Sequence, residues 1–146
     1  MITFVPDYVS SAIQRWEANR AGEEARTKAL HIGNPDAAKA AFSAWIDANP
    51  RPRATLAQVA DHIDHARKLA GIDHIGIGGD YGGIETVPDG LENVGTYPAL
   101  FAELARRGYS QDDLEKIAQH NIMRVMRSAE AVAQTTTTLA SPTQSR

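Results

Sequence analysis

Apolar residues recur at intervals of three and four along much of this chain, and the intervals mark helices. The clearest case lies between Thr55 and Gly71. Leu56, Val59, Ile63, Ala66 and Ala70 share one helical face, so that face is expected to be buried. Thr55-Leu56-Ala57-Gln58 has the form of a capping box, and Gly71 stands where a helix stops. Upstream, residues from about Tyr8 to Leu30 read as a helix with a charged face, with Gly33 just past its last turn. Asn34-Pro35 opens another, Asn as cap and Pro at the first helical position. That helix carries Ala41, Phe42 and Trp45 and ends near Asn49-Pro50, followed by the stiff connector Pro50-Arg51-Pro52. Downstream, a helix is expected from about Pro98 to Arg107 with Gly108 as its stop. The last, capped by Ser110, has a stripe of Leu114, Ile117, Ala118, Ile122, Val125 and Met126.

Two segments favour strands instead. Ile2 to Val5 is a β-favouring run stopped by Pro6, and His74-Ile75-Gly76-Ile77-Gly78 alternates glycine with isoleucine. Helix, glycine turn and strand in succession is an α/β rhythm, with helices covering a parallel sheet. Two strands make a poor sheet, so the pattern predicts an incomplete α/β unit. Residues 79–96, rich in glycine and proline and without periodicity, read as a long loop after a strand, the kind that more often serves a function. From Gln134 onward Thr, Ser, Pro and Gln dominate, and residues 133–146 are expected to form a disordered tail. No internal repeat is present.

Composition narrows the function classes. The chain has 146 residues, 15 Lys+Arg and 18 Asp+Glu, for a net charge of −3, without the basic excess of a nucleic-acid binder. Hydrophobic residues make up 42%, enough for a packed core, yet no apolar run is long enough to span a bilayer. With no cysteine there is no disulfide framework, no thiol nucleophile and no Cys-based zinc site. The opening residues show no basic segment followed by a long apolar stretch, so no signal peptide is visible. Localisation is left open.

The sharpest local feature is Gly78-Gly79-Asp80-Tyr81-Gly82-Gly83. A carboxylate leaves the C-terminal end of an expected strand between flexible glycines, at the edge where parallel α/β proteins bind ligands. Asp80 is therefore a candidate to face a substrate or metal; the alternative is an Asp that stabilises its own turn. Tyr8, just beyond the first expected strand, shares that edge, against the alternative of an aromatic packed at a helix start. The segment is not a dinucleotide fingerprint, because Tyr81 stands where the third glycine belongs. His62 and His65 lie three apart on the central helix, a spacing compatible with shared metal ligation. With Ile63 at the centre of the apolar stripe, His65 falls about 160° away. A solvated polar face is the favoured reading, and no metal ligand is assigned.

Two longer stretches are specific in combination. One is Val59-Ala60-Asp61-His62-Ile63-Asp64-His65 running through Ala70-Gly71-Ile72-Asp73-His74-Ile75-Gly76-Ile77-Gly78-Gly79-Asp80-Tyr81. The other is Pro88-Asp89-Gly90-Leu91-Glu92-Asn93-Val94 with Tyr97-Pro98-Ala99-Leu100, Glu103-Leu104-Ala105-Arg106-Arg107-Gly108-Tyr109-Ser110 and Asn121-Ile122-Met123-Arg124-Val125. This pattern resembles the C-terminal part of the membrane (renal-type) dipeptidase family, zinc metallopeptidases of the amidohydrolase-like TIM-barrel class. Ile2-Thr3-Phe4-Val5-Pro6-Asp7-Tyr8-Val9-Ser10 resembles a late barrel strand and loop of the same family.

The resemblance implies an α/β fold: the C-terminal part of a TIM barrel, helix-rich and incomplete, over residues 1–132, with a helical insert at about 9–52. It implies a dipeptidase in which two zinc ions activate a bridging hydroxide that attacks the peptide carbonyl. It also implies that the metal ligands (a His-x-Asp pair, a bridging Glu and two further His) and a substrate-facing arginine lie upstream of this chain, whose own histidines match none of them. Zinc is thus not expected to be held by this chain alone. Asp80 matches the family's active-site aspartate, expected to meet the dipeptide and help proton transfer. Tyr8 matches a tyrosine that contacts the substrate near its carboxylate end. One departure is local: the family usually reads Gly-Asp-Phe-Asp-Gly, whereas Gly79-Asp80-Tyr81-Gly82-Gly83 lacks the second carboxylate. A complete barrel needs about 200 residues or more, so the chain is expected to be a piece of such an enzyme, inactive alone. The alternative is a non-catalytic truncated paralogue. In either case an open sheet edge predicts a homo-oligomer or pairing with the missing barrel half.

Overall fold

Helix-capping chemistry sets most of the architecture. The computed structural model describes the backbone of residues 1–140 and the side chains through Thr135. Seven α-helices are present among the described residues: α1 (Pro6–Val9), α2 (Ser11–Leu30), α3 (Pro35–Ala48), α4 (Leu56–Ala70), α5 (Tyr97–Arg106), α6 (Gln111–Glu115) and α7 (Asn121–Ala140). The caps stand where the residue types require them. Asn34 caps α3, while Thr55 with Gln58 and Ser110 with Asp113 form reciprocal capping boxes on α4 and α6. Gly71 ends α4 at φ 85°, a conformation that glycine adopts without steric cost.

Two expected helices and the expected tail take a different form. The first breaks in two at Ser10, whose backbone is extended. The Ser10 hydroxyl, buried, accepts hydrogen bonds from the Ile13 amide (3.5 Å) and Gln58 Nε2 (3.2 Å), so the residue caps α2 instead of continuing a helix from α1. The last expected helix contains a π-helical turn, Lys116–His120, between α6 and α7. Ile117 within it is buried in the core, and Asn121 just after it turns inward. Downstream, the run expected to be a tail from residue 133 continues α7 as far as Ala140, with the Thr135 hydroxyl donating to the Ala131 carbonyl at 2.9 Å. This local back-bond lets a threonine be accommodated within a helix. Residues 141–146 of the expected tail lie outside the described residues.

The two expected strands shrink to single residue pairs. Ile2 and Ile77 form a parallel bridge, with Ile2 N–H donating to the Gly76 carbonyl (2.6 Å) and Gly78 N–H to the Ile2 carbonyl (2.8 Å). A second parallel bridge joins Thr55 to Asp89. No longer strand occurs among the described residues. A ladder needs extended neighbours on both sides of the pairing, and here Pro6 begins a helix on one segment while Ile72–His74 coils into a 3₁₀ turn on the other. The positions and the parallel direction nonetheless agree with the pattern of the sequence.

One core lies beneath this bridge. Phe4 is wholly buried, with Ile2, Ile75 and Ile117 beside the pairing, Val59, Ala60 and Ile63 from α4, and Leu100 and Leu104 from α5. Burying each of the larger aliphatic side chains contributes about 1.5–3 kcal/mol. Helices α2 and α3 pack against each other as a separate hairpin, held by Trp16 against Trp45 and by Trp16 Nε1 donating to the Asn49 carbonyl at 2.7 Å, with Phe42 stacked beside Trp45 on α3. The hairpin falls within residues 9–52, where a helical insert is expected.

Candidate active site

The parallel bridge decides which loops can meet. Because Ile2 and Ile77 run in the same direction, the chain beyond Val5 and the chain beyond Gly78 leave the pairing at the same end. Tyr8 and Asp80 lie beyond Ile2 and Ile77 on the two segments that leave the pairing in the same direction.

Asp80 is exposed and adopts φ 61°, the described non-glycine residue in the left-handed region. Aspartate enters that region more readily than most residues, at a cost of about 1–3 kcal/mol that the surroundings must support. The support is visible on both sides. Gly83 N–H donates to the Asp80 carbonyl at 2.9 Å and closes the turn. On the other side, Gly79 sits so tightly that a Cβ there would lie 2.8 Å from Tyr97 Oη, 2.9 Å from Tyr81 Cε2 and 3.1 Å from Phe4 Cδ2. Phe4, Tyr81 and Tyr97 meet mostly edge to face, with ring centroids 5.6–6.2 Å apart, and form an aromatic floor under the Asp80 turn. The Tyr81 hydroxyl is buried with no hydrogen-bond partner among the described residues, and burial first, then Tyr97, raises its pKa.

Tyr8 lies in α1 with its side chain 65% exposed, so its ring is not a packing element of the core. The helix that carries it is short but anchored at both ends: Gln14 Nε2 donates to the Asp7 carbonyl (2.9 Å), and Gln58 holds Ser10.

A cleft of about 470 Å³ opens beside these two loops, between Val5–Asp7, the start of α2 and residues 83–86. Neither Asp80 nor Tyr8 lines it. Its polar wall belongs to Arg51, which the sequence reading passed over as part of a connector. Arg51 Nη2 bridges both carboxylate oxygens of Asp7 at 3.0 and 2.9 Å, Nε donates to Glu17 at 3.0 Å, and Nη1 donates to the Thr86 hydroxyl at 3.3 Å. Glu17 is held below the usual carboxylate range by the Arg20 guanidinium first and by Arg51 as well. The one signal in the sequence is the Pro50-Arg51-Pro52 frame, whose two fixed φ angles hold the backbone of the arginine between them.

The metal question turns on donor sets. Among the described residues, no three His, Cys, Asp or Glu side chains gather closely enough to hold a metal ion. His62 is half-buried on α4 and His65 is exposed. The residues described here do not fit a two-zinc centre, and no chemical step is assigned to zinc on this chain. No described helix is long and apolar enough to cross a membrane.

Comparison with known proteins gives this geometry its context. The family description "Membrane dipeptidase (Peptidase family M19)" matches residues 1–140. Dipeptidase 3 of Rattus norvegicus is 47% identical over 79 residues, which cover 54% of this chain and 16% of the rat protein. An uncharacterized dipeptidase of Schizosaccharomyces pombe is 44% identical over 90 residues, covering 61% of this chain and 22% of the yeast protein. Among solved structures, the probable dipeptidase PvdM from Pseudomonas aeruginosa superimposes with a TM-score of 0.60 at 26% identity, covering 84% of this chain and 34% of PvdM. The chain thus spans about a fifth or less of the length of these curated relatives. With its family match reaching from the bridge strand through the Asp80 turn to the last helix, the chain belongs to the membrane dipeptidase family, peptidase family M19.

Proposed function

We propose that this chain supplies the substrate-facing edge of a dipeptide-hydrolysing site, built as the C-terminal part of an incomplete barrel. The zinc ions of that site would be held by polypeptide other than these residues. The observation that supports this reading is the parallel direction of the Ile2–Ile77 bridge, beyond which Tyr8 and Asp80 follow on the two paired segments. Asp80 is the catalytic residue of the proposal. A carboxylate on an exposed turn can accept a hydrogen bond from the dipeptide and hold a proton during cleavage. Tyr8, a phenol standing clear of the core, donates to the carboxylate end of the dipeptide. The rigid floor of Phe4, Tyr81 and Tyr97 keeps the Asp80 backbone in one conformation, which preserves the geometry needed for attack.

The test is direct. The purified chain is incubated with simple dipeptides and added zinc, with and without a chelator, and zinc binding is measured calorimetrically. The expected result is no tight zinc binding and no chelator-sensitive turnover by the chain alone. Turnover with zinc held wholly by this polypeptide overturns the proposal.

A second reading is favoured by the exposed apolar side chains of Met1, Met123, Val125 and Met126 beside the bridge and along α7. In that reading the chain is a non-catalytic module that pairs with a copy of itself or with a separate barrel half. Sedimentation that shows a monodisperse monomer over a wide concentration range counts against it.

A further inference from the structure

Residues Asp7 and Thr86 sit on the two loops that bear Tyr8 and Asp80, and a single guanidinium holds both. Arg51 reaches Asp7 with Nη2, Thr86 with Nη1 and Glu17 of the insert with Nε. Asp7 is the immediate neighbour of Tyr8 within α1, and Thr86 belongs to the loop that the Asp80 turn begins. The rest of that loop is short of internal order: residues 84–88 contain no regular element, and Ile84 and Thr86 line the open cleft. The side chain of Arg51 is 28% exposed, so its charge-assisted hydrogen bonds are partly shielded from water and stronger than those of a free surface pair.

We propose that Arg51 is a positioning residue for the site, a three-way clamp that sets the distance between the Tyr8 helix and the Asp80 loop and couples both to the helical insert. The proposal rests on the reading that Tyr8 and Asp80 share a substrate, and it adds the device that holds them in register. The chemistry requires arginine. Three separate acceptors in three directions match the planar fork of a guanidinium, whereas the single ammonium of a lysine cannot reach all three at once. Pro50 and Pro52 on either side limit how far the backbone can relax if a partner is lost. The insert thereby becomes part of the site's scaffold, since Glu17 of α2 shares the same clamp.

The absence of native cysteine allows the distance to be read directly. Tyr8→Cys and Glu85→Cys, both at exposed positions, are spin-labelled, and the distance distribution is recorded by electron paramagnetic resonance in backgrounds carrying Arg51, Arg51→Lys and Arg51→Ala. A narrow distribution is expected with Arg51, and loss of that narrow peak in both variants. In the unlabelled chain, backbone amides of residues 7–10 and 83–87 should exchange about tenfold faster in Arg51→Ala, the equivalent of one charge-assisted hydrogen bond, while amides of α4 and α5 keep their rates. An unchanged distribution in Arg51→Ala overturns the clamp. A peak restored by Arg51→Lys overturns the requirement for the fork. Uniformly faster exchange over the whole chain overturns the positioning role in favour of general stability. If Arg51→Ala does not fold, Thr86→Val removes the loop contact alone and should broaden the same distribution. These readouts need neither zinc nor turnover, so zinc-dependent turnover by the chain alone sinks the proposed function and leaves the clamp standing.

Discussion

The carboxylate of Asp80 fills the space that a side chain on Gly83 would need. A Cβ on Gly83 would lie 2.7 Å from Asp80 Oδ1 and 3.1 Å from its Cγ, while the Gly83 amide hydrogen-bonds the Asp80 carbonyl at 2.9 Å. The turn thus fixes the backbone of Asp80 and clears a site for its side chain. Gly82, one residue earlier, has open space where its side chain would go.

This contrast gives the first prediction. Gly83→Ala should push the Asp80 carboxylate into another rotamer, because the obstructing atoms are a short side chain that can swing away. Its stability cost should stay within about 1 kcal/mol. Gly82→Ala should leave the Asp80 rotamer unchanged, because a Cβ there meets open space. The carboxyl carbon resonance of Asp80, read by NMR in each variant, distinguishes them: a shift for Gly82→Ala equal to that of Gly83→Ala would refute the steric account.

Tyr81 yields a prediction of opposite sign to most core substitutions. Among the described residues its buried hydroxyl has no hydrogen bond of good geometry, although the Thr96 side chain acts on it and opposes the rise in its pKa, so a largely desolvated polar group sits in the aromatic floor. Tyr81→Phe should keep the ring contacts with Phe4 and Tyr97 and raise stability by up to about 1 kcal/mol. Chemical denaturation measures it. A clear loss of stability means that the hydroxyl has a partner after all.

Asn121 is the reverse case. Its buried amide donates to the Ile72 and Ile75 carbonyls, both at 2.8 Å, and so pins the turn before the bridge segment to the start of α7. Asn121→Leu should cost about 1–3 kcal/mol, because two carbonyls lose their donor. Faster exchange of the Ile2 and Gly78 amides should accompany that loss, since Gly76 and Gly78 pair with Ile2 directly beyond this turn. A variant as stable as the wild type sinks this account.

The two ends of the pH scale probe the contact between α4 and α5. Arg107, just past the end of α5, binds Glu103 of that helix and Asp61 and Asp64 on α4, and the Tyr109 hydroxyl donates to Asp64 at 2.8 Å. Arg106 and then Arg107 depress the pKa of Glu103 to about 2. A depressed acid contributes stability above its unfolded pKa and loses it as pH falls, so Glu103 should make the protein lose stability between about pH 4.5 and 2. Tyr109 is pushed up to about 12, by burial first and by Asp64 next. Its contribution is complete below about pH 10 and should vanish as pH rises from 10 to 12. Glu103→Gln should flatten the acid limb of a melting-temperature profile and Tyr109→Phe the alkaline limb. A profile unchanged in both variants contradicts the assignment.

The local parts of the fold were legible in the sequence. Caps at Asn34, Thr55 and Ser110 and the stop at Gly71 depend on residues within four positions, so their chemistry is written in the order of the chain. The apolar stripe of Val59 and Ile63 predicted the buried face of α4. The strands were legible as positions but not as strands, because a strand's hydrogen bonds depend on a neighbour that its own residues do not specify. The break at Ser10 escaped for the same reason: its hydroxyl is held by Gln58, 48 positions away. Within the site, Asp80 and Tyr8 stood out by their place beside expected strand ends. Arg51 did not, because its partners Asp7, Glu17 and Thr86 lie 44, 34 and 35 positions away.

The order of residues by itself therefore determined most of the helices and several of their caps, the family and the two segments where chemistry is to be sought. Only the tertiary structure decided that Asp80 sits in a left-handed turn cleared by Gly83, that the expected strands amount to one bridge, and that Arg51 joins Asp7 of α1, Thr86 and Glu17 of α2. The division follows the range of the forces. Capping and periodicity act between residues close in the chain, whereas pairing, clamping and the space left for a side chain depend on which distant segments packing brings together.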